Sequence, residues 1–442
     1  MKFPRIKMSR VMIAAALSCA PRLHAAGPNL ILIGWDTLRA DHVGALGYKR
    51  KTTPNLDSLA AKSFLFTRAI SPSSWTLPAF MSVFTGLYPS EHGLTNKFKL
   101  PPAASGGSTE LEPASLSTAV ITLAELLRAA GYGTAAFTGG SGVGGGYGFS
   151  RGFDVYVDSP NFAGFETSFP QALDWLRTNP GSGTFVFIHG YDTHPFRDLK
   201  ADGQYQFIAP EEAEKVPGIR ARHEKMRMDL LDGKKLSYTK EDVKLWTDVY
   251  DEKILRADKL LGKFLADLSA LGKQAEETII ILLSDHGEEL FDHGGVDHGM
   301  TLYDEMLHVP LLIYLPRRPG RTITAQVRTL DIFPTVMELL ELKPGEAVRE
   351  RLRGASLAGR MNGGAAPLDA FAETDYLFHF NKKAVRRSGG PKLIVDGITQ
   401  GRELYDTSSD PAEKTNLFEK DSANAYLLEI QLFDWEESLK TP

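Results

Sequence analysis

The stretch TIIILLSDHG, residues 278–287, packs five consecutive apolar side chains behind a threonine and then breaks at Ser284-Asp285-His286-Gly287. An apolar run without alternation reads as a strand buried on both faces. The same reading fits NLILIGWD (29–36), TAAFTGG (134–140) and TFVFIHGYD (184–192). Helical patterns lie between these runs. STAVITLAELLRAAGYG (117–133) repeats its apolar residues at helical spacing and stops at glycine. The segment from Thr239 to Lys273 opens with a threonine and an acid three places on, then repeats Leu, Val and Ile with helical period. Strand and helix in alternation predict an α/β fold around a largely parallel sheet.

Such sheets bind ligands beyond the carboxyl ends of their strands. Three of the four runs end in residues suited to metal binding or acid–base chemistry: Asp36, then Asp192 with His194, then Asp285 with His286. One aspartate after a strand is ordinarily a cap or a turn; three such ends on one sheet edge point to a site. Asp285 and His286 are adjacent, so both face one ion only if the chain turns sharply, which Gly287 permits. The stretch SSWTLPAFMSVFTGLYPSEHG (73–93) adds a candidate alcohol, Thr76. Two carboxylates, an imidazole and an alcohol oxygen suit one divalent metal ion, manganese or zinc before calcium. A neutral threonine hydroxyl is a poor nucleophile, and coordination supplies its activation. Thr76 also stands where a helix would open, as a capping residue would.

The 442 residues, 43% hydrophobic and 24% charged, have globular composition, and a formal charge of −5 offers no field for nucleic acid. Lys2, Arg5, Lys7 and Arg10 precede the apolar run VMIAAALSCA and the small-residue site LHAA, which reads as a signal peptide over residues 1–26. That run falls short of the ~20 residues that span a bilayer. The expectation is export to the periplasm or outside the cell, with no stable membrane span. The single cysteine, Cys19, lies inside the leader; a retained short membrane anchor and lipid attachment at Cys19 are the alternatives.

ILIGWDTLRADHVGALGY (31–48), TTPNLDSLAAKSFLFTRAISPSSWTLPAFMSVFTGLYPSEHG (52–93), YDTHPF (191–196), SDHGEELFDHGGVDHGMTLYDEMLHVPLLIYLP (284–316) and ELYDTSSDPAEKTNL (403–417) together resemble the sulfatase family, within the alkaline phosphatase-like superfamily. The resemblance implies a catalytic α/β domain with a large, mostly parallel sheet over residues 27–317. It further implies a C-terminal α+β subdomain over 318–442, with a small antiparallel sheet and a terminal helix. Sulfatases carry Cys or Ser, any residue, Pro, any residue and Arg, followed by Thr-Gly, and oxidise the first residue to formylglycine. Here Thr76, Pro78 and Thr85-Gly86 match, but Thr76 cannot become formylglycine and Phe80 replaces the arginine.

On this resemblance Asp36, Thr76, Asp285 and His286 form the metal set, and Thr76 is the nucleophile. His194 protonates the leaving oxygen, while His298 and Asn96 hold substrate oxygens, His298 also acting in catalysis. The implied activity is metal-dependent cleavage of sulfate or phosphate esters through a Thr76 adduct. Phosphate ester or diester chemistry is favoured, because a plain threonine adduct lacks the formylglycine release route. The substrate is a small-molecule, glycan or lipid-headgroup ester. A transferase using the same nucleophile and a glycan-binding pseudoenzyme are the alternatives.

Other features read more plainly. Asp192 either orients His194 or has no site role. His92 and His293 cap turns, and His189 is a satisfied core residue. The Gly-rich stretch 139–148 lacks the Lys-Ser/Thr of a nucleotide loop and reads as a mobile connection. Arg39 and Asp41 pair either beneath the site or on the surface. The charged segment 197–238, without clear periodicity, is expected near the site mouth.

Overall fold

The computed structural model describes residues 27–99, 111–364 and 366–440, so the leader lies outside the described residues. The large sheet has nine strands: β1 (Asn29–Trp35), β2 (Phe64–Ile70), β3 (Gly133–Phe137), β4 (Val155–Val157), β5 (Thr184–Gly190), β6 (Thr278–Leu283), β7 (His308–Tyr314), β8 (Arg321–Ile323) and β9 (Val327–Arg328). Their order is β8-β2-β7-β6-β1-β5-β3-β4, with β9 also on β2. Strands β6, β1, β5, β3 and β4 run parallel, while β7 runs antiparallel to both β6 and β2. The register sets Gly34 beside His189 and Leu283, so the carboxyl ends of β1, β5 and β6 meet at one edge.

The unbroken apolar runs have a direct cause. Leu30, Leu32, Phe185 and Phe187 enter one core with Phe80 and Phe84 of helix α1 (Thr76–Thr85). Ile31, Ile33, Val186 and Ile188 enter the opposite core. There they meet α2 (Phe165–Thr178) and α4 (Lys240–Ser269), where Phe165, Phe169 and Phe264 stack at 4.3 and 4.4 Å. Each such fully buried side chain contributes roughly 1.5–3 kcal/mol. Helix α4 begins with the capping box seen in the sequence, Thr239 Oγ1 accepting from Asp242 N. The segment 197–238 contains a turn of 3-10 helix and α3 (Ile219–Leu231), an all-round charged helix whose period is invisible in its residues.

The small sheet is antiparallel, β10 (Ala370–Tyr376), β11 (Phe380–Arg386), β12 (Pro391–Asp396) and β13 (Arg402–Asp406), with α5 (Ser422–Lys440) packed on β11 and β12. β8 and β9, which follow residue 318, hydrogen-bond to β2 in the large sheet. Strands of three and two residues carry no legible pattern. The two sheets are tied by Asp304, which pairs with Arg386 and with the fully buried Lys392, both at 2.9 Å. Burial opposes the Asp304 charge, but Lys392 and Arg386 outweigh it and hold the carboxyl well below the usual range. A depressed folded pKa stabilises the fold above the ordinary carboxylate value and loses that contribution as pH falls through the folded one. Asp304→Asn is therefore expected to cost ~3–5 kcal/mol by leaving buried cations short of a partner. Thermal denaturation at neutral pH should show the full deficit, and the deficit should narrow in acid. Among the described residues no helix is long and apolar enough to cross a membrane.

Candidate active site

Asp36 leaves β1 into a turn that holds Thr37 at φ 55°, a strained setting for a β-branched residue. Three contacts hold it: the Tyr250 hydroxyl donates to the Thr37 carbonyl, Leu38 N to Ser284 Oγ at 2.9 Å, and Thr193 Oγ1 to the Asp36 carbonyl. Arg39 lies beneath, paired with Asp41 and Asp292 and donating to the Glu288 carbonyl at 3.0 Å. It therefore braces the loop after β6 from below.

Thr76 is the first residue of α1, after the N-cap Trp75, so the helix-capping reading fails. Its Oγ1 donates to Asp36 Oδ1 at 3.0 Å and lies 3.2 Å from His286 Nε2. At the far end of α1, Thr85 Oγ1 bonds the Met81 carbonyl and Gly86 takes the left-handed cap at φ 67°, which accounts for Thr-Gly. His92 buttresses the helix with Nε2 at 3.3 Å from the Pro78 carbonyl, while Leu94 N donates to its Nδ1. The Gly-rich stretch is pinned rather than slack. Gly142 N donates to Tyr191 OH at 2.9 Å, Tyr191 OH to the Gly140 carbonyl, and Gly145 N to Asp158. A Cβ on Gly142 would come within 2.7 Å of Thr76 Cβ and 2.9 Å of its Cγ2. Gly142→Ala should displace Thr76 and lower kcat ~10²-fold, as a misplacement near 1 Å does, with an unchanged circular dichroism spectrum.

His286 Nδ1 faces the Gly287 carbonyl at 2.8 Å, which places its proton there and leaves the Nε2 lone pair toward the carboxylates. Nε2 lies 3.4 Å from Asp285 Oδ2 and 3.9 Å from Asp36 Oδ1. Burial pushes the ring down to about 4, so it is neutral at pH 7. Burial, and for Asp36 the charge of Asp285, raise both carboxyls. Among the described residues, Asp36 Oδ2 and Asp285 Oδ2 are buried without a hydrogen-bond partner. This donor set, two orphaned carboxylate oxygens with a free imidazole nitrogen and a hydroxyl, fits a divalent cation.

The structure adds a residue the sequence reading passed over. His189, expected as a satisfied core residue, has no hydrogen-bond partner on either ring nitrogen among the described residues, and it offers a donor atom within 4.8 Å of those of Asp36 and Asp285. It is wedged against Phe80 and Tyr191 at ring separations of 5.0 and 4.6 Å. Phe80, where sulfatases keep arginine, therefore packs as an apolar wall. Gly34 allows this, since a Cβ there would meet Phe80 Cζ at 2.4 Å.

His194 and His298 face each other at 5.0 Å between ring centres, and His298 lies 4.6 Å from His286. His194 Nδ1 accepts from Phe196 N at 3.1 Å, so Nε2 carries the proton of the neutral ring. Lys253, from α4, donates to the His194 carbonyl at 3.1 Å. Asp192 does not orient His194: its Oδ2 accepts from Phe165 N at 2.8 Å at the start of α2, and burial and Glu166 push its carboxyl up to about 7. His298 Nδ1 faces Glu288 Oε2 at 3.0 Å and Asp297 Oδ1 at 3.2 Å. Lys97 and Arg227, neither singled out in the sequence, lie within the field of His298, where Arg227 is paired with Asp297. Asn96 is committed elsewhere, its amide donating to Asp375 and its oxygen accepting from Leu377 N at 2.9 Å. It ties the loop after α1 to the small sheet. His293 likewise bridges Glu305, at 2.6 Å, and the Glu413 carbonyl. A second buried group, His223, Glu288 and Asp297, also brings donor atoms within 4.8 Å. Arg227 beside Asp297 and Lys253 beside Glu288 balance its charge without an ion.

The sulfatase family model matches residues 28–342. The uncharacterized sulfatase YidJ of Escherichia coli (strain K12) is 24% identical over 454 residues, covering 89% of this chain and 83% of its own. A structure solved in complex with its substrate D-glucosamine-2-N,6-O-disulfate superposes with a TM-score of 0.71 at 18% identity, over 94% of this chain and 98% of the other. The phosphonate monoester hydrolase of Agrobacterium radiobacter superposes with a TM-score of 0.68 at 22% identity, over 93% and 96%. At those identities the two structures share the fold. The chain belongs to the sulfatase family, ester hydrolases of the alkaline phosphatase-like superfamily.

Proposed function

We propose that this chain cleaves ester bonds to phosphorus or sulfur through a covalent adduct on Thr76, with phosphorus favoured. The observation that carries this reading is the Thr76 hydroxyl at the head of α1, 3.0 Å from Asp36 Oδ1 and 3.2 Å from His286 Nε2. Sulfatases are metal-dependent, and Asp36, Asp285, His286 and Thr76 would hold the ion, with His189 as a further candidate donor. Manganese or zinc suits this mixed oxygen and nitrogen set best. When bound, the ion would stabilise the Thr76 alkoxide and draw charge from the ester oxygens.

The protein's own groups divide the remaining work. Thr76 directs its hydroxyl proton to Asp36, leaving an oxygen lone pair for attack. The helix N-terminus favours the anion at that oxygen. His298 faces the anionic ester oxygens, its Nδ1 held by Glu288 and Asp297. His194 donates a hydrogen bond from Nε2–H to the departing oxygen, since its Nδ1 accepts from Phe196 N, and the departing alkoxide takes its proton from water. Water then displaces the group from Thr76. A sulfated threonine has no aldehyde hydrate to collapse, so water must attack sulfur directly, whereas phosphoryl adducts on Ser or Thr are turned over by water elsewhere in this superfamily. The basic, then apolar, start supports export to the periplasm or beyond, a reading checked by the N-terminus of the mature chain.

The test is a panel of matched aryl sulfate, aryl phosphate monoester and aryl phosphodiester, with the enzyme loaded in turn with manganese, zinc and calcium. A phosphorus ester should give the highest kcat/KM. Preference for the aryl sulfate would overturn the choice of phosphorus.

A further inference from the structure

His194 sits between two aromatic side chains that the mechanism does not use. Phe162 approaches it at 4.9 Å between ring centres and Phe196 at 5.1 Å, and the two phenyl rings meet at 5.7 Å and 89°. Together they form the apolar corner of a cleft of about 420 Å³; His194 is not part of its lining but packs against both rings. Phe162 holds φ 58°, the left-handed region that a bulky residue adopts only when its surroundings enforce it. Those surroundings are specific: Phe162 N donates to the Gly139 carbonyl at 2.7 Å, and its own carbonyl accepts from Arg197 at 2.6 Å. The chain thus spends backbone strain to hold an aromatic face next to the residue assigned to the leaving oxygen.

The rest of the cleft wall is polar but carries no excess positive charge. Arg197 pairs with Glu166, and Arg220 with Asp198 at 3.1 Å, while Glu224 lines the same cleft. A leaving group rich in sulfates or carboxylates gains nothing electrostatically from such a wall. A flat uncharged ring gains stacking against either phenyl face.

We propose that this cleft is the leaving-group subsite and that it takes an alcohol carrying an uncharged ring. The proposal rests on the reading of Thr76 and His194 above, and it sets this chain apart from the neighbour whose bound substrate is a disulfated sugar.

The experiment uses the full mature enzyme, metal-loaded, on three esters of whichever acid it turns over. The leaving alcohols are benzyl, carboxybenzyl and an open-chain alkyl alcohol of matched acidity. The wild type should prefer benzyl to alkyl by ~10-fold, the upper range for an aromatic contact, and should gain nothing from the carboxylate. Phe162→Ala, Phe196→Ala and the volume-keeping Phe196→Leu should each bring the benzyl-to-alkyl ratio of kcat/KM toward one. That ratio is internal to each variant, so a partly misfolded preparation still reports it. An unchanged ratio in all three variants, or a preference for carboxybenzyl, overturns the subsite. Undiminished turnover in Thr76→Ala would instead overturn the underlying reading and leave the ratio test standing.

Discussion

Replacing Thr76 with alanine should abolish turnover of every ester, a loss of ~10³-fold or more in kcat, because no other group can form the adduct. Folding should be unaffected. Thr76 opens α1 but does not cap it, and among the described residues its side chain bonds only Asp36 and His286. Thr76→Ser keeps the oxygen and should retain turnover within ~10-fold of wild type, since only a methyl is lost. The pair of variants separates chemistry from packing: a structural role would be damaged by both, a nucleophilic role by alanine alone. Equal activity in Thr76→Ala and wild type would remove the nucleophile from the account.

The second large effect is expected at His286. His286→Ala deletes the one donor whose free nitrogen is fixed toward both carboxylates by a backbone hydrogen bond. Bound metal should fall below one equivalent after dialysis, and kcat should drop ~10³-fold, about 4 kcal/mol of lost charge stabilisation. Elemental analysis reads the first and steady-state kinetics the second. Full metal content in this variant would transfer the ion to other donors, with His189, Asp36 and Asp285 the remaining cluster.

The sheet and the edge that carries the chemistry were legible in the sequence for one reason. Strands buried on both faces must be apolar throughout, so Asp36, Asp285 and His286 stand out where those runs end. Thr76 was singled out by the family resemblance, through Pro78 and Thr85-Gly86. His189 was not, because a histidine inside an apolar strand looks like any core residue until β5 is placed beside β1, with β6 on the far side of β1. Asp192 lies as close to His194 in sequence as an orienting carboxylate would, yet it caps α2, a fact set by where Phe165 returns in space. Asn96 and Arg227 act through contacts with the small sheet, Asp375 and Tyr376, some 280 and 149 residues onward. No local pattern encodes such pairings. The Gly-rich stretch misled in the opposite direction: its glycines let the backbone close over Thr76 rather than move away from it.

The covalent Thr76 adduct is tested most directly by stereochemistry. An aryl phosphodiester made chiral at phosphorus with two oxygen isotopes would be hydrolysed in water carrying the third, so that the monoester product is itself chiral. Attack by Thr76 followed by attack of water is two in-line displacements, and the product should retain configuration. Inversion would mean that water attacks the ester in a single step, and that Thr76 serves the site without ever being bonded to the substrate.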